Sequence, residues 1–159
     1  MTKLFNGPKN SITDIDGFLV GNSQDDHIKS GVTVLTRSTS FRASVSILGG
    51  APGTKETDLL SPDKIVENID GIVLAGGSAF GLDAASGVMD CLRGQNRGFD
   101  TGGIKVPIVP SAILFDLKNG GFKEWDINPY HELGRNAFLK VSDDFEIGSI
   151  GAGCGATTS

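Results

Sequence analysis

Two cysteines, two histidines, one tryptophan and one tyrosine are all that 159 residues supply of those types. Cys91 and Cys154 are too few for a disulfide framework, and a reducing cytoplasm is the expected compartment. Neither histidine has a cysteine or histidine partner at metal-ligand spacing, so no zinc site and no other cofactor is expected. A Ser-His-Asp triad has only His27, in the polar run QDDHIK, or His131 to recruit, and nothing else marks either. No apolar run reaches the ~18 residues that a membrane-spanning helix needs. The start, MTKLFNGPKNSITD, lacks the apolar stretch of a secretory signal. There is no basic block, and 14 basic against 19 acidic residues leave a net charge of −5. No nucleic-acid partner is expected from such a balance.

Glycine is abundant instead. Its 23 copies are about twice the usual share of about 7%. With 38% apolar and 21% charged residues the composition is that of a folded domain. A chain of this length buries about 70% of its unfolded surface, enough for one real core.

Alternating, β-branched residues predict strands over 31–36 (GVTVLT) and 43–48, joined as a hairpin by RSTSFRA. SITDIDGFLV at 11–20 reads as a short extended segment ending at Gly21-Asn22. Residues 51–60 read as an irregular loop. Ser61-Pro62-Asp63 carries the signals of a helix start, predicting a short helix through SPDKIVENI. IDGIVLAGG at 69–77 is a buried strand that ends in a glycine-rich turn. Leu82, Ala85, Val88, Met89 and Leu92 keep the 3.6 period, which predicts a helix over 82–93 stopped by Gly94. Its small residues, Ala84 to Gly87, predict close packing on a sheet or another helix. Two prolines interrupt IKVPIVPSAILFDL at 104–117, which gives either an irregular strand or one that breaks at Pro110 and resumes. A polar loop follows, and Asn128-Pro129 opens a second helix with Leu133, Ala137, Phe138 and Val141 as its apolar stripe. The chain closes in GSIGAGCGATTS, a glycine-rich turn of the kind found inside a domain. The expectation is a single, incomplete domain over 1–159, part of a longer or processed polypeptide.

Several positions carry more than one reading. GGSAFG follows a strand and precedes a helix, the setting of an anion site at a helix N-terminus. Its spacing fits neither a dinucleotide fingerprint nor a phosphate loop, and Gly76, Gly77 and Gly81 equally suit a tight turn. Asp83 suits a substrate amine or the first turn of a helix. Asp116 suits a general base or a loop-amide acceptor. Cys154 has no cationic neighbour in sequence to activate it.

The segments NSITDIDGFLVGN, SGVTVL, SILGGAPGTKETDLL, LAGGSAFGLDAASGV, VPIVPSAILFDL and GSIGAGCGATTS run in the order found in one family. In these the chain resembles the DmpA-type self-processing aminopeptidases, whose relatives include β-aminopeptidases and nylon-oligomer hydrolases. The resemblance implies an α/β fold, the four-layered αββα arrangement also likened to ornithine acetyltransferase, of which this chain is a part. It further implies a precursor that cuts its own backbone before a serine or threonine. That residue then acts as nucleophile with its own free amine as base, on a second chain that would be a partner of this one. A small peptide or amide is the implied substrate, and assembly of several copies is implied as well. The pocket wall carried over by the resemblance is Ser78, Phe80, Pro110, Ser111 and Phe115, with no catalytic residue on this chain. Phe115 stands where studied members carry a tyrosine, and Ser111-Ala112 where aminopeptidase members carry a glutamate for the substrate amine. Ser149 stands where some members have an asparagine. The alternative is a non-catalytic α/β module that binds an acidic or phosphorylated small ligand at the Gly76–Gly81 turn.

Overall fold

The computed structural model describes residues 6–157, so the last two residues of the glycine-rich ending and the first five of the chain lie outside the described part. Strand β1 (Phe18–Asp25) turns back into the long β2 (Ser30–Phe41) as an antiparallel hairpin. Asp25 makes the turn: its carboxylate accepts the amides of His27 at 2.8 Å and Ile28 at 3.3 Å, and Lys29 takes a left-handed φ of 47°. The chain then passes through β3 (Thr54–Lys55) and β4 (Ile69–Ala75) into helix α1 (Ala84–Gly94). A two-stranded ribbon follows, β5 (Phe99–Asp100) with β6 (Lys105–Val106). After it come β7 (Ser111–Ile113) and helix α2 (Tyr130–Leu139). One sheet has the order β1-β2-β4-β7-β3, with β4 and β7 parallel and the other pairs antiparallel.

Both helices pack on one face of this sheet. Val32, Val34, Val73 and Ala75 point to that side and bury with Ala85, Val88 and Leu92 of α1 and Leu133, Ala137 and Phe138 of α2. The opposite face is largely bare, and Leu74 in the middle strand is 48% exposed. A mixed sheet with helices on one face makes this an α/β chain.

Three sequence expectations change. The segment 43–48 is not a strand: Val45 and Ile47 are exposed, and both edges of β4 are already taken by β2 and β7. Alternation without a partner leaves backbone groups unpaired, so it does not make a strand. The true hairpin partner of β2 lies before it. Gly21-Asn22 ends nothing; Gly21 sits inside β1 because a Cβ there would overlap the carbonyl of Ala137 in α2. The helix at 61–69 is absent, and Ser61–Lys64 forms a single turn closed by the Lys64 amide on the Ser61 carbonyl. Ile65 is 91% exposed, so a helix there has too little apolar face to bury. The small face of α1 meets α2, one of the two partners expected of it: a Cβ on Gly87 would overlap the His131 carbonyl, and one on Gly134 the Ala84 carbonyl. Strand 69–75, the start of β7 directly after Pro110 and the α2 stripe stand as expected, with Val141 half-buried just past the helix.

Candidate functional site

On the bare face of the sheet, the segment 145–153 lies across β1 and β2. Three polar side chains of the hairpin hold it. Asn22 Nδ2 donates to the Glu146 carbonyl at 3.0 Å, Gln24 Oε1 accepts the Gly151 amide at 2.9 Å, and Thr33 Oγ1 accepts the Ala152 amide at 3.1 Å. Thr33 in turn donates to Asn22 Oδ1 at 2.7 Å. Gly151 has φ 57°, and a Cβ there would overlap both Asn22 and Thr33, so this wall needs glycine. Between the strapped segment and β4–β7 runs a cleft of about 410 Å³. Leu74, Ala112 and Leu114 line one side, and Phe145, Ile147 and Ile150 the other. Glu146 is the sole titratable residue on its lining.

The turns that carry Ser78 and Phe115 meet at Leu114, a lining residue of this cleft. The Leu114 amide donates to the Ala75 carbonyl at 2.9 Å, and the Ser78 amide donates to the Leu114 carbonyl at 3.0 Å. Phe115 follows at once and is 56% exposed. Phe80, 52% exposed, turns toward the 118–128 loop, where its ring meets Trp125 edge-on at 6.0 Å. Ser78 is half-buried in the turn. Pro110 and Ser111 depart from the expected wall. Pro110 is buried, and Ser111 is 2% exposed with its hydroxyl on the helical side of the sheet beside Val73, where it has no partner.

The Gly76–Ser78 turn has no free amide for an external anion. The Gly76 amide donates to the Gly31 carbonyl at 2.9 Å, Gly77 to Asp116 Oδ1 at 2.7 Å and Ser78 to Leu114. A carboxylate of the protein itself occupies the Gly77 amide, where an acidic ligand would otherwise bind. Asp116, 1% exposed, also accepts from Ser30 Oγ at 2.5 Å, and Ser30 accepts from the Tyr130 hydroxyl at 2.7 Å. Burial pushes the Tyr130 hydroxyl up to about 12; the bond to Ser30 opposes this and the nearby Asp116 adds to it. Asp116 is thus a loop-amide acceptor.

Cys154 shows no activation. Burial raises its thiol and the Asp26 carboxylate adds to that, the opposite of what a nucleophile needs. Asp83 precedes α1 without capping it through its side chain. Lys55 Nζ does donate to Ser86 Oγ at 3.0 Å, but Ser86 belongs to α1, on the far side of the sheet from the cleft. Among the described residues no group of three or more His, Cys, Asp or Glu side chains is placed to hold a metal, and no helix is long and apolar enough to cross a membrane. Asn22, Gln24 and Thr33 went unmarked in the sequence. Their signal is polar residues on one face of a hairpin, and it is readable only once β1 is paired with β2.

Residues 10–159 match peptidase family S58. The chain belongs to that family. It is 43% identical over 155 residues to an uncharacterized aminopeptidase of Mycobacterium tuberculosis, covering 92% of this chain and 44% of that protein. It is 30% identical over 145 residues to the 6-aminohexanoate-oligomer endohydrolase of a Kocuria strain, covering 91% and 38%. Its fold is that of the L-aminopeptidase D-Ala-esterase/amidase of Ochrobactrum anthropi, a variant of the Ntn hydrolase fold, with a TM-score of 0.73, 20% identity and coverage of 99% and 47%. A Burkholderia β-aminopeptidase superposes with a TM-score of 0.68 at 16% identity, covering 95% and 44%. This S58 chain therefore spans less than half the length of these relatives. Its described residues hold a five-stranded sheet with both helices on one face.

Proposed function

We propose that residues 1–159 form the substrate-side half of a self-processing amide hydrolase. The nucleophilic serine or threonine then lies on polypeptide beyond this chain and begins a second chain after self-cleavage. The observation that carries this reading is the cleft itself: a bare, apolar trough on the inner face of an Ntn-type sheet, with no nucleophile–base pair along it among the described residues. The hydroxyl of the second chain would attack an amide carbonyl held in the trough, with its own amine as base, and water would release the acyl group. What this chain contributes is binding and orientation. Leu74, Ala112 and Leu114 exclude water from one side of the substrate, and the exposed Phe115 follows Leu114 directly. Phe115 has no hydroxyl, so a donor for the developing oxyanion has to come from elsewhere. Small peptides or linear amides suit an apolar trough of this volume, and the named relatives act on aminoacyl and 6-aminohexanoate compounds by their names. The enzyme would work in the reducing cytoplasm, with Cys91 and Cys154 unpaired, as an assembly of several copies.

Intact mass and N-terminal sequencing of the purified full-length protein test this. The expected result is two chains, the shorter beginning with Ser or Thr, and a single uncut chain without amidase activity overturns it. Phe115→Tyr in the same protein adds one hydroxyl beside the cleft. It is expected to raise amide hydrolysis or shift the preferred acyl group, measured on a panel of aminoacyl p-nitroanilides.

A further inference from the structure

Asp116 is a buried carboxylate that pairs with no cation among the described residues, and it touches two glycine-rich turns beside the cleft. Its Oδ1 accepts the Gly77 amide at 2.7 Å, in a turn where Gly77 and Ser78 both hold left-handed φ values of 81° and 53°. Two consecutive left-handed residues, one of them a serine, persist only where surrounding contacts over-determine them. The carboxylate supplies one such contact. The Tyr130 ring supplies another, since any Cβ on Gly77 would overlap it. Oδ2 accepts from Ser30, which is oriented by the Tyr130 hydroxyl. The same oxygen lies 2.7 Å from where a Cβ on Gly155 would stand, so the opposite, glycine-rich wall also packs on Asp116. Asn119 ties that contact down: its amide donates to the Asp116 carbonyl at 3.3 Å, and its Nδ2 donates to the carbonyls of Gly155 at 3.2 Å and Lys29 at 2.6 Å.

We infer that Asp116 is the positioning residue of the cleft, clamping the Gly76–Ser78 turn on one side and the Gly151–Gly155 turn on the other, so that Phe115 and Leu114 present a fixed edge to the substrate. It does not touch the reacting atoms. Its side chain does not line the cleft, and both of its oxygens are already occupied by protein donors. The tie from α2 through Tyr130 and Ser30 makes the clamp a chain of donors ending on one carboxylate. Charge-assisted bonds to a carboxylate are the stronger kind, which suits a group that must hold two turns at once.

The inference rests on the amide-hydrolase reading, and its test separates the two. In the full-length protein, Asp116→Ala, Asp116→Asn and Tyr130→Phe are compared with the parent by hydrolysis of an aminoacyl p-nitroanilide, per active site titrated with an acylating reagent. Amide hydrogen exchange at Gly77 and Ser78 is followed in parallel. Asp116→Ala is expected to lower kcat at least 10-fold per titrated site while KM stays within about 3-fold, because the apolar floor of the cleft is intact. Asp116→Asn keeps an oxygen acceptor for the Gly77 amide and is expected to restore kcat to within about 3-fold of the parent. Tyr130→Phe keeps the ring and should fall between the two. Gly77 exchange should speed up at least 10-fold in Asp116→Ala and stay near the parent in Asp116→Asn. Unchanged kcat and unchanged Gly77 exchange in Asp116→Ala overturn the inference. So does an asparagine variant as damaged as the alanine one, which assigns Asp116 a proton-transfer role. A parent without amidase activity overturns the hydrolase reading instead, and the clamp is then judged by Gly77 exchange alone.

Discussion

Gly87 sits where α1 crosses α2, and its missing side chain is what lets the two helices touch through backbone. Helix propensity alone favours replacing it, since glycine costs about 1 kcal/mol against alanine in a helix interior. Overlap with the His131 carbonyl acts the other way, and overpacking costs about 1–3 kcal/mol or more. The steric term wins for any side chain larger than alanine. Gly87→Leu is therefore expected to lower the stability of the full-length protein by at least about 2 kcal/mol, read by urea unfolding. Ser111 makes the reverse argument. Its buried hydroxyl has no partner, and such a group costs about 1–3 kcal/mol of desolvation. Ser111→Ala should leave stability unchanged or raise it by up to about 1 kcal/mol, with hydrolysis unaltered. A clear loss of substrate affinity in that variant would return Ser111 to the cleft wall, against its position on the helical side. The resemblance names a stretch of chain and not the face each residue takes. Faces alternate along a strand, so register decides which of Ser111 and Ala112 meets the cleft, and register comes from pairing with β3 and β4.

Elements that carry their own local signal are legible in the amino-acid sequence. The 69–75 strand is a continuous apolar run, α1 and α2 carry the helical period, and Pro110 marks where β7 begins. Elements whose identity depends on a distant neighbour are not. The residues at 43–48 alternate as well as any strand, yet they pair with no strand of the sheet. Gly21 reads as a terminator in sequence and is a mid-strand glycine in space, because α2 presses on it. The β5–β6 ribbon shows local chemistry sufficient to hold an element without a core. Asp100 accepts the amides of Gly102 at 2.9 Å and Gly103 at 3.0 Å, and pairs with Lys105 at 3.0 Å. The Gly103 amide, then Lys105 and the Gly102 amide, hold the Asp100 carboxyl down to about 2. A carboxylate held below its unfolded value stabilises the ribbon above an unfolded pKa of about 3.9, and that contribution is lost as pH falls through about 2. The amide resonances of Gly102 and Gly103 should accordingly titrate with a midpoint near 2 rather than near 4. Asp100→Asn should abolish that titration, and a midpoint near 4 in the parent would mean the turn does not hold the carboxyl in solution.

At the scale of the molecule, the sheet has one finished face and one unfinished one. The helical side holds the core, whereas the inner side exposes Leu74 at 48%, Phe115 at 56% and Ile147 at 83% around the cleft. Single exposed apolar residues are ordinary, but a cluster of them along one trough marks a surface made to be covered. The relatives are more than twice as long as this chain, and the proposed function seats the further polypeptide, with its nucleophile, against this face. Residues 1–159 produced alone should then show two linked behaviours. The fragment should hydrolyse neither amides nor esters, since none of its described residues places an activated nucleophile in the cleft. It should also bind a hydrophobic dye such as ANS far more strongly than the full-length protein, through the bare inner face. Adding back the separately produced remainder should suppress the dye signal as the cleft is covered, and restore hydrolysis where the second chain begins at its nucleophile. Turnover by the isolated fragment would place the nucleophile within these 159 residues. A dye signal no stronger than that of the full-length protein would mean that the inner face closes on itself, and that the cleft is not the seat of the second chain.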